Sequence, residues 1–250
     1  MTLSLSIHDA VATIAIDRSE KRNAFTREMW EALPRLIAQA QDSADARMLV
    51  LRSAAGGAFS AGADIGEFAQ NAADRDWLDA NQRAIAQAQK ALSRCPLPTV
   101  AMVEGDCFGG GCGLAIACDL RVAGSASRFA ITPARLGLVY SLHDTKLLVD
   151  LVGPAQAKRI LFTAQPVDAA EAFRIGLVDV LDDRPDVLIA PITANSSHSI
   201  AASKAIIRRI LDGQADDDTR TEAMFAEAFD KPDFAEGVAA FLARRKPEFK

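Results

Sequence analysis

Leu3, Leu5 and Ile7 alternate with Ser4 and Ser6, and Val11, Ile14 and Ile16 follow after His8, Asp9 and Ala10. A period of two broken by a short polar stretch predicts a β-hairpin. Residues 17–23 form a polar turn, and Thr26 then opens a helix to about Ala40, with Glu28 and Glu31 near its positive end and Trp30, Leu33, Leu36, Ile37 and Ala40 along one face. Residues 48–51 are an apolar run of buried-strand type, followed by a connection of small residues over 52–64. Trp77, Leu78, Ile85, Ala88 and Leu92 give an amphipathic helix over residues 72–94, stopped ahead of Pro96 and Pro98. Residues 99–103 read as a buried strand, 112–118 as a buried helix, and 119–123 and 128–131 as further strands. Strand–helix–strand units therefore recur, the pattern of an α/β fold with right-handed crossovers. Past Leu142 the pattern turns helical at 142–152, 154–162, 168–175, 197–211, 217–230 and 232–245, with one short strand at 176–181.

Composition narrows the function classes. The chain has 250 residues, half of them apolar, enough for one α/β domain with a helical appendage. Its net charge of −5 and the lack of a basic cluster before the last few residues argue against a nucleic-acid partner. The absence of a long apolar run argues against a membrane-spanning segment, and the N-terminal sequence, which does not resemble a signal peptide, predicts a cytoplasmic chain. Cys95, Cys107, Cys112 and Cys118 form no CxxC pair and read as small buried thiols, with no metal site expected.

Two stretches carry chemistry. Gly109, Gly110 and Gly111 stand where a strand-exit loop becomes a helix N-terminus, leaving free N–H groups that suit phosphate, carboxylate or an oxyanion, or else allowing close helix–strand packing. The connection over 52–64 is longer than a structural link needs, and its small side chains expose backbone N–H groups.

Five blocks in order, namely Lys21 through Phe25, Gly57 through Ile65, Gly105 through Asp119, Ala170 through Asp179 and Glu236 through Phe249, resemble the crotonase (enoyl-CoA hydratase/isomerase) superfamily over almost the whole chain. The resemblance implies a spiral core of ββα units over residues 1–195 and a C-terminal helical region, 196–250, that assembles homotrimers or dimers of trimers. It implies an acyl-CoA substrate, coenzyme A being part of the thioester, and no prosthetic group. Two backbone N–H groups hold the thioester oxygen in that family, and by motif match they fall on Ala63 and Gly110. Coenzyme A contacts match Lys21, Arg22, Ala24, Ala61, Asp64, Ile65, Phe225 and Arg244.

Departures from the family are equally informative. The two glutamates that handle water and the α-proton in its hydratases match Gly113 and Pro133, and the basic residue after the Asp-Ile pair matches Gly66. Hydration by the usual route is therefore expected to be severely impaired. Residues 131–144 are similar to methylmalonyl-CoA decarboxylase-like members, with Tyr140 at a tyrosine position. The aspartate of dehalogenase and dienoyl-CoA isomerase relatives is replaced by Ser141, and a histidine that some decarboxylases carry is replaced by Ala63. The expectation is an enolate-stabilising decarboxylase- or isomerase-like enzyme with Tyr140 as proton donor; the alternative is a CoA-ester-binding protein with little catalysis. His143, Asp144 and Glu67 are the remaining titratable groups nearby, with Asp144 and Glu67 also placed to act as first-turn helix charges.

Overall fold

A computed structural model describes residues 2–184 and 186–249. The opening alternation forms β1 (Leu3–His8) antiparallel to β2 (Val11–Ile16), with Leu3 opposite Ile16. Helix α1 (Arg27–Asp42), capped by the Thr26 hydroxyl accepting the Met29 N–H, turns Met29, Trp30, Leu33, Ile37 and Ala40 inward and leads into β3 (Met48–Ser53), parallel to β2.

From here each long strand is followed by a short one that joins a second sheet. β4 (Ala58–Ser60) follows β3, and α2 (Ile65–Gln70) and α3 (Arg75–Ser93) come next. β5 (Thr99–Val103) is followed by β6 (Asp106–Phe108) and α4 (Gly110–Ala117). β7 (Leu120–Ala123) is followed by β8 (Arg128–Ala130) and α5 (Leu142–Thr163). The chain continues through β9 (Val167–Asp168), α6 (Ala169–Arg174), β10 (Val180–Leu181), α7 (Ile189–Thr193), α8 (Ser197–Leu211), α9 (Thr219–Glu227) and α10 (Pro232–Leu242). The main sheet has the order β1-β2-β3-β5-β7-β10 and the small one β4-β6-β8-β9. This winding of ββα units is the spiral core expected from the resemblance.

The middle of the main sheet is buried on both faces, which is why β3 and β5 read as unbroken apolar runs. Ile14, Leu49, Leu51, Ala101 and Val103 pack under the helices, while Val11, Met48, Val50, Val100 and Met102 face a layer of Val187, Leu188, Ile189 and Ile192. Helix α4 has no polar side: residues 111–117 are all buried. All four cysteines are buried and free, as expected.

Several expectations about elements change. The connection over 52–64 contains β4, and β6 precedes the glycine triplet; three-residue strands are too short to show a period. The helix expected to begin at residue 72 begins at Arg75, where Asp74 accepts the Trp77 N–H. The two helical patterns 142–152 and 154–162, by contrast, are present as expected: they are two helical segments of α5 that meet at Gly153, whose φ of 72° is non-helical, ahead of Pro154. No helix among the described residues is long and apolar enough to cross a membrane.

Candidate functional site

The loop before α2 is built from the inside. Asn23, buried and at φ 56°, donates through Nδ2 to the Ser53 hydroxyl at 2.8 Å and the Ala58 carbonyl at 2.7 Å. The Ser60 hydroxyl donates to the Asn23 carbonyl at 2.8 Å and accepts the Gly62 N–H at 3.1 Å. Phe25 clamps the next turn: its N–H donates to the Gly62 carbonyl at 2.7 Å and its carbonyl accepts the Asp64 N–H at 2.9 Å. The Ala63 N–H lies between these two bonds and, among the described residues, donates to nothing.

The facing wall is the start of α4. Gly109 takes the N-cap position at φ 54°, its N–H donating to the Ala130 carbonyl at 2.7 Å, and Gly110 is the first helical residue, its N–H also without an acceptor among the described residues. A Cβ built at Gly110 would stand 3.6 Å from the Ala63 nitrogen, and one at Gly62 would stand 2.7 Å from the Gly110 nitrogen. Two unused backbone donors from distant parts of the chain thus meet across a gap that only glycine at 62 keeps open. Trp30 backs Gly110, its ring 3.2 Å from the built Cβ position.

Gly113, one turn further along α4, has a second cluster around it. A Cβ there would lie 2.2 Å from Nε2 of Gln89 and 3.1 Å from the Tyr140 hydroxyl. The Tyr140 oxygen is buried and unpartnered among the described residues. Burial pushes its phenol well above its ordinary pKa, and the neighbouring Cys112, Asp144 and Cys107 push in the same direction, so Tyr140 is a protonated donor at neutral pH. Asp144 does occupy the first turn of α5, capped through its N–H by the Ser141 hydroxyl, but it is only 3% exposed, and its carboxylate meets Nδ1 of His143 at 3.0 Å. His143 Nε2 in turn lies 3.1 Å from the Ser93 hydroxyl. Glu67 accepts the Arg27 N–H at 2.8 Å and so caps α1 across the loop, rather than standing solvated.

The residues matched to coenzyme A contacts fall into two groups. Lys21 ends an exposed 3-10 turn, Ala61 donates its N–H to the Arg22 carbonyl at 2.9 Å, and the Ala24 carbonyl accepts from Arg18 at 2.7 Å. Ile65 is half exposed at the first position of α2. The Arg22 guanidinium pairs with Asp106 and lies 5.9 Å from the Phe108 ring centre, with Arg128 on the same carboxylate and ring. Phe225 on α9 is 70% exposed and meets Phe229 edge-to-face at 5.5 Å; Arg244 is exposed just past α10 at φ 53°. These two are not among the groups that gather around Ala63, Gly110 and Tyr140.

Asp64 caps α2, accepting the Gly66 N–H at 2.9 Å, and pairs with Arg18 at 2.8 Å. Burial pulls its carboxyl upward, but the Arg18 bond and charge and the Glu67 and Gly66 N–H groups outweigh that, and it titrates below its ordinary 3.8. A depressed carboxyl contributes stability above its unfolded pKa and loses it as pH falls through the folded one. Asp64→Ala is therefore expected to lower stability by about 1 kcal/mol at pH 7, the usual value of a cap. The gap in melting temperature between wild type and variant should narrow as the pH falls below 3.8 and Asp64 takes up its proton.

Sequence reading missed Gln89, Asn23 and the pairing of Arg121 with Asp179. Gln89 had a visible signal, a polar residue between Ala88 and Leu92 on the inward face of a helix.

The profile of the enoyl-CoA hydratase/isomerase family matches residues 6–250. The chain is 31% identical to the short-chain-enoyl-CoA hydratase of Clostridium acetobutylicum, over 95% of this chain and 93% of that protein. It is 30% identical to the methylmalonyl-CoA decarboxylase of Escherichia coli, over 96% and 94% respectively. A crystal structure of an enoyl-CoA hydratase/isomerase family protein from Hyphomonas neptunium superposes with a TM-score of 0.95 at 39% identity, covering 100% of this chain and 98% of that one. With its ββα spiral and a match running nearly from end to end, this chain belongs to the enoyl-CoA hydratase/isomerase family of the crotonase superfamily.

Proposed function

We propose that the chain acts on acyl-CoA thioesters, stabilising an enolate between the Ala63 and Gly110 N–H groups, in a decarboxylation or isomerisation rather than a two-glutamate hydration. The observation that carries this reading is the pair of unused donors facing one another across Gly62. Each such donor aimed at developing negative charge supplies about 2.7–4 kcal/mol of transition-state stabilisation. In decarboxylation the bond from the α-carbon to the carboxylate breaks, carbon dioxide leaves, and the electron pair moves onto the thioester oxygen. Tyr140, held protonated by its surroundings, then donates its proton to the α-carbon in place of the lost carboxylate, and the phenolate recovers a proton from water as product leaves.

Lys21, Arg22, Ala24, Ala61, Asp64 and Ile65 form the approach for coenzyme A in this reading, with Phe225 and Arg244 contributed by the C-terminal helices. Asp106 engages Arg22, so Lys21 and Arg244 are the freer cations for a phosphate. The exposed Phe225, Phe229, Phe241 and Leu242 support assembly of trimers, or dimers of trimers, through residues 196–250.

The test is conversion of a panel of enoyl-, β-keto-, malonyl-, methylmalonyl- and halo-acyl-CoA esters by the purified protein, followed by mass spectrometry. Loss of a carboxylate or migration of a double bond is the expected result. Crotonyl-CoA hydration is expected to be slower than in a two-glutamate hydratase by more than about 10⁴-fold, since each general acid–base group contributes about 10²–10⁴. Binding of these esters without conversion of any of them would replace the enzyme reading with a binding role, and rapid crotonyl-CoA hydration would refute the argument from Gly113 and Pro133.

A further inference from the structure

Gln89 is 1% exposed, and its carboxamide lies against Gly113 of α4. Its Nε2 stands 2.2 Å from the position a Gly113 side chain would start from, and the Tyr140 hydroxyl stands 3.1 Å from that same point. Burying a polar group without a partner costs about 1–3 kcal/mol. The Tyr140 oxygen is such a group, and its convergence with the Gln89 nitrogen on one glycine indicates a place where a ligand atom completes it.

The chemistry of that atom follows from the groups present. A carboxamide nitrogen and a protonated phenol both donate, so the ligand must accept. Position follows from α4: Gly113 lies three residues beyond Gly110, and helical neighbours at that spacing are about 5–6 Å apart at Cβ. A thioester oxygen at the Gly110 N–H therefore puts the α and β carbons of the acyl group beside Gly113.

We propose that Gln89 and Tyr140 form a two-donor cradle over Gly113 that reads an acceptor oxygen on the α or β substituent of the acyl group. The chain thereby selects oxygen-bearing acyl-CoA esters over hydrocarbon ones. This rests on the acyl-CoA reading above and adds a specificity residue to it. Hydrocarbon chains leave both donors unpaired, and a site built to hydrogen-bond a substrate group rejects analogues that lack it. A carbonyl suits the cradle better than an anion, because the buried Asp144 adds negative charge close to Tyr140. A carboxylate placed there sits in unfavourable surroundings, which favours its departure as carbon dioxide.

The experiment compares dissociation constants, by calorimetry on the full chain, for acetoacetyl-CoA (a carbonyl), sulfoacetyl-CoA (an anion that cannot decarboxylate) and butyryl-CoA (neither). Wild type is expected to bind acetoacetyl-CoA about tenfold or more tighter than butyryl-CoA, with sulfoacetyl-CoA between them. In Gln89→Met the acetoacetyl preference falls to about twofold or less while butyryl-CoA affinity holds. Tyr140→Phe provides the same readout from the other donor and serves alone should Gln89→Met fail to fold. A preference that survives in a folded variant of either residue, or wild-type binding that ignores the acyl oxygen, overturns the cradle and leaves the acyl-CoA reading standing. Failure of wild type to bind any of the three esters overturns both.

Discussion

Gly111→Ala is expected to cost about 3 kcal/mol of stability, at the upper end of ordinary overpacking, and to lower turnover of the best acyl-CoA substrate about 100-fold. A Cβ at Gly111 would lie 2.5 Å from the Ser60 carbonyl oxygen and 2.7 Å from the Ser60 Cβ. Neither neighbour can swing aside: Ser60 is in β4, paired to β6, and its hydroxyl pins both Asn23 and Gly62. The strain is relieved only by moving α4 away from β4, and that motion separates the Gly110 and Ala63 N–H groups. A displacement of about 1 Å in a preorganised site costs about 10²-fold in rate. Chemical denaturation and steady-state kinetics on one preparation check both parts. Full turnover in a variant that is destabilised would show that the donor pair does not depend on this packing.

Asp179→Ala is expected to destabilise the chain by about 3 kcal/mol, near the low end for breaking a buried ion pair because the Asp179 side chain is 29% exposed. Its partner Arg121 is 1% exposed and meets the Asp179 carboxylate at 2.5 Å, while its remaining donors reach the Leu177 carbonyl at 2.9 Å and the Cys118 carbonyl at 2.9 Å. Removing the carboxylate leaves a guanidinium under the sheet edge without its counter-charge. The double variant Arg121→Met with Asp179→Leu should recover most of the loss, because apolar side chains of similar volume replace such pairs at little cost. A denaturation cycle over the four proteins measures this. A single variant as stable as wild type would mean that the carbonyls alone hold Arg121.

The same pair shows what sequence can and cannot convey. The motif running from Ala170 to Asp179 supports the family resemblance, but its Asp179 is explained only by a residue 58 positions earlier. The long strands, the Thr26 cap and the α1 face are legible because their periods run over many residues and each local preference agrees with the packing. β4 and β6 are not, since Ala58-Phe59-Ser60 and Asp106-Cys107-Phe108 take their conformation from partners across the small sheet. Within the site, motif matching picks out Ala63, Gly110 and Tyr140, and the fold brings the first two face to face. Gln89 escapes notice because its meaning depends on a neighbour on another helix; only the proximity of Gly113 distinguishes it from a polar residue tolerated on an inward face. Asp144 illustrates the converse: its first-turn position is readable from Ser141, and its burial is not.

The two-sheet winding also fixes when the donor pair can exist. Ala63 hangs from β4 and Gly110 from β6, neighbouring strands of a four-stranded sheet whose members are separated in the chain by long excursions through the larger sheet and its helices. Closing such loops is slow relative to forming local helices and hairpins. An intermediate with the main sheet zipped and the short strands unpaired would look largely folded to optical probes while presenting no facing N–H groups. Opening the small sheet alone therefore abolishes the facing pair of N–H groups while the main sheet stays zipped.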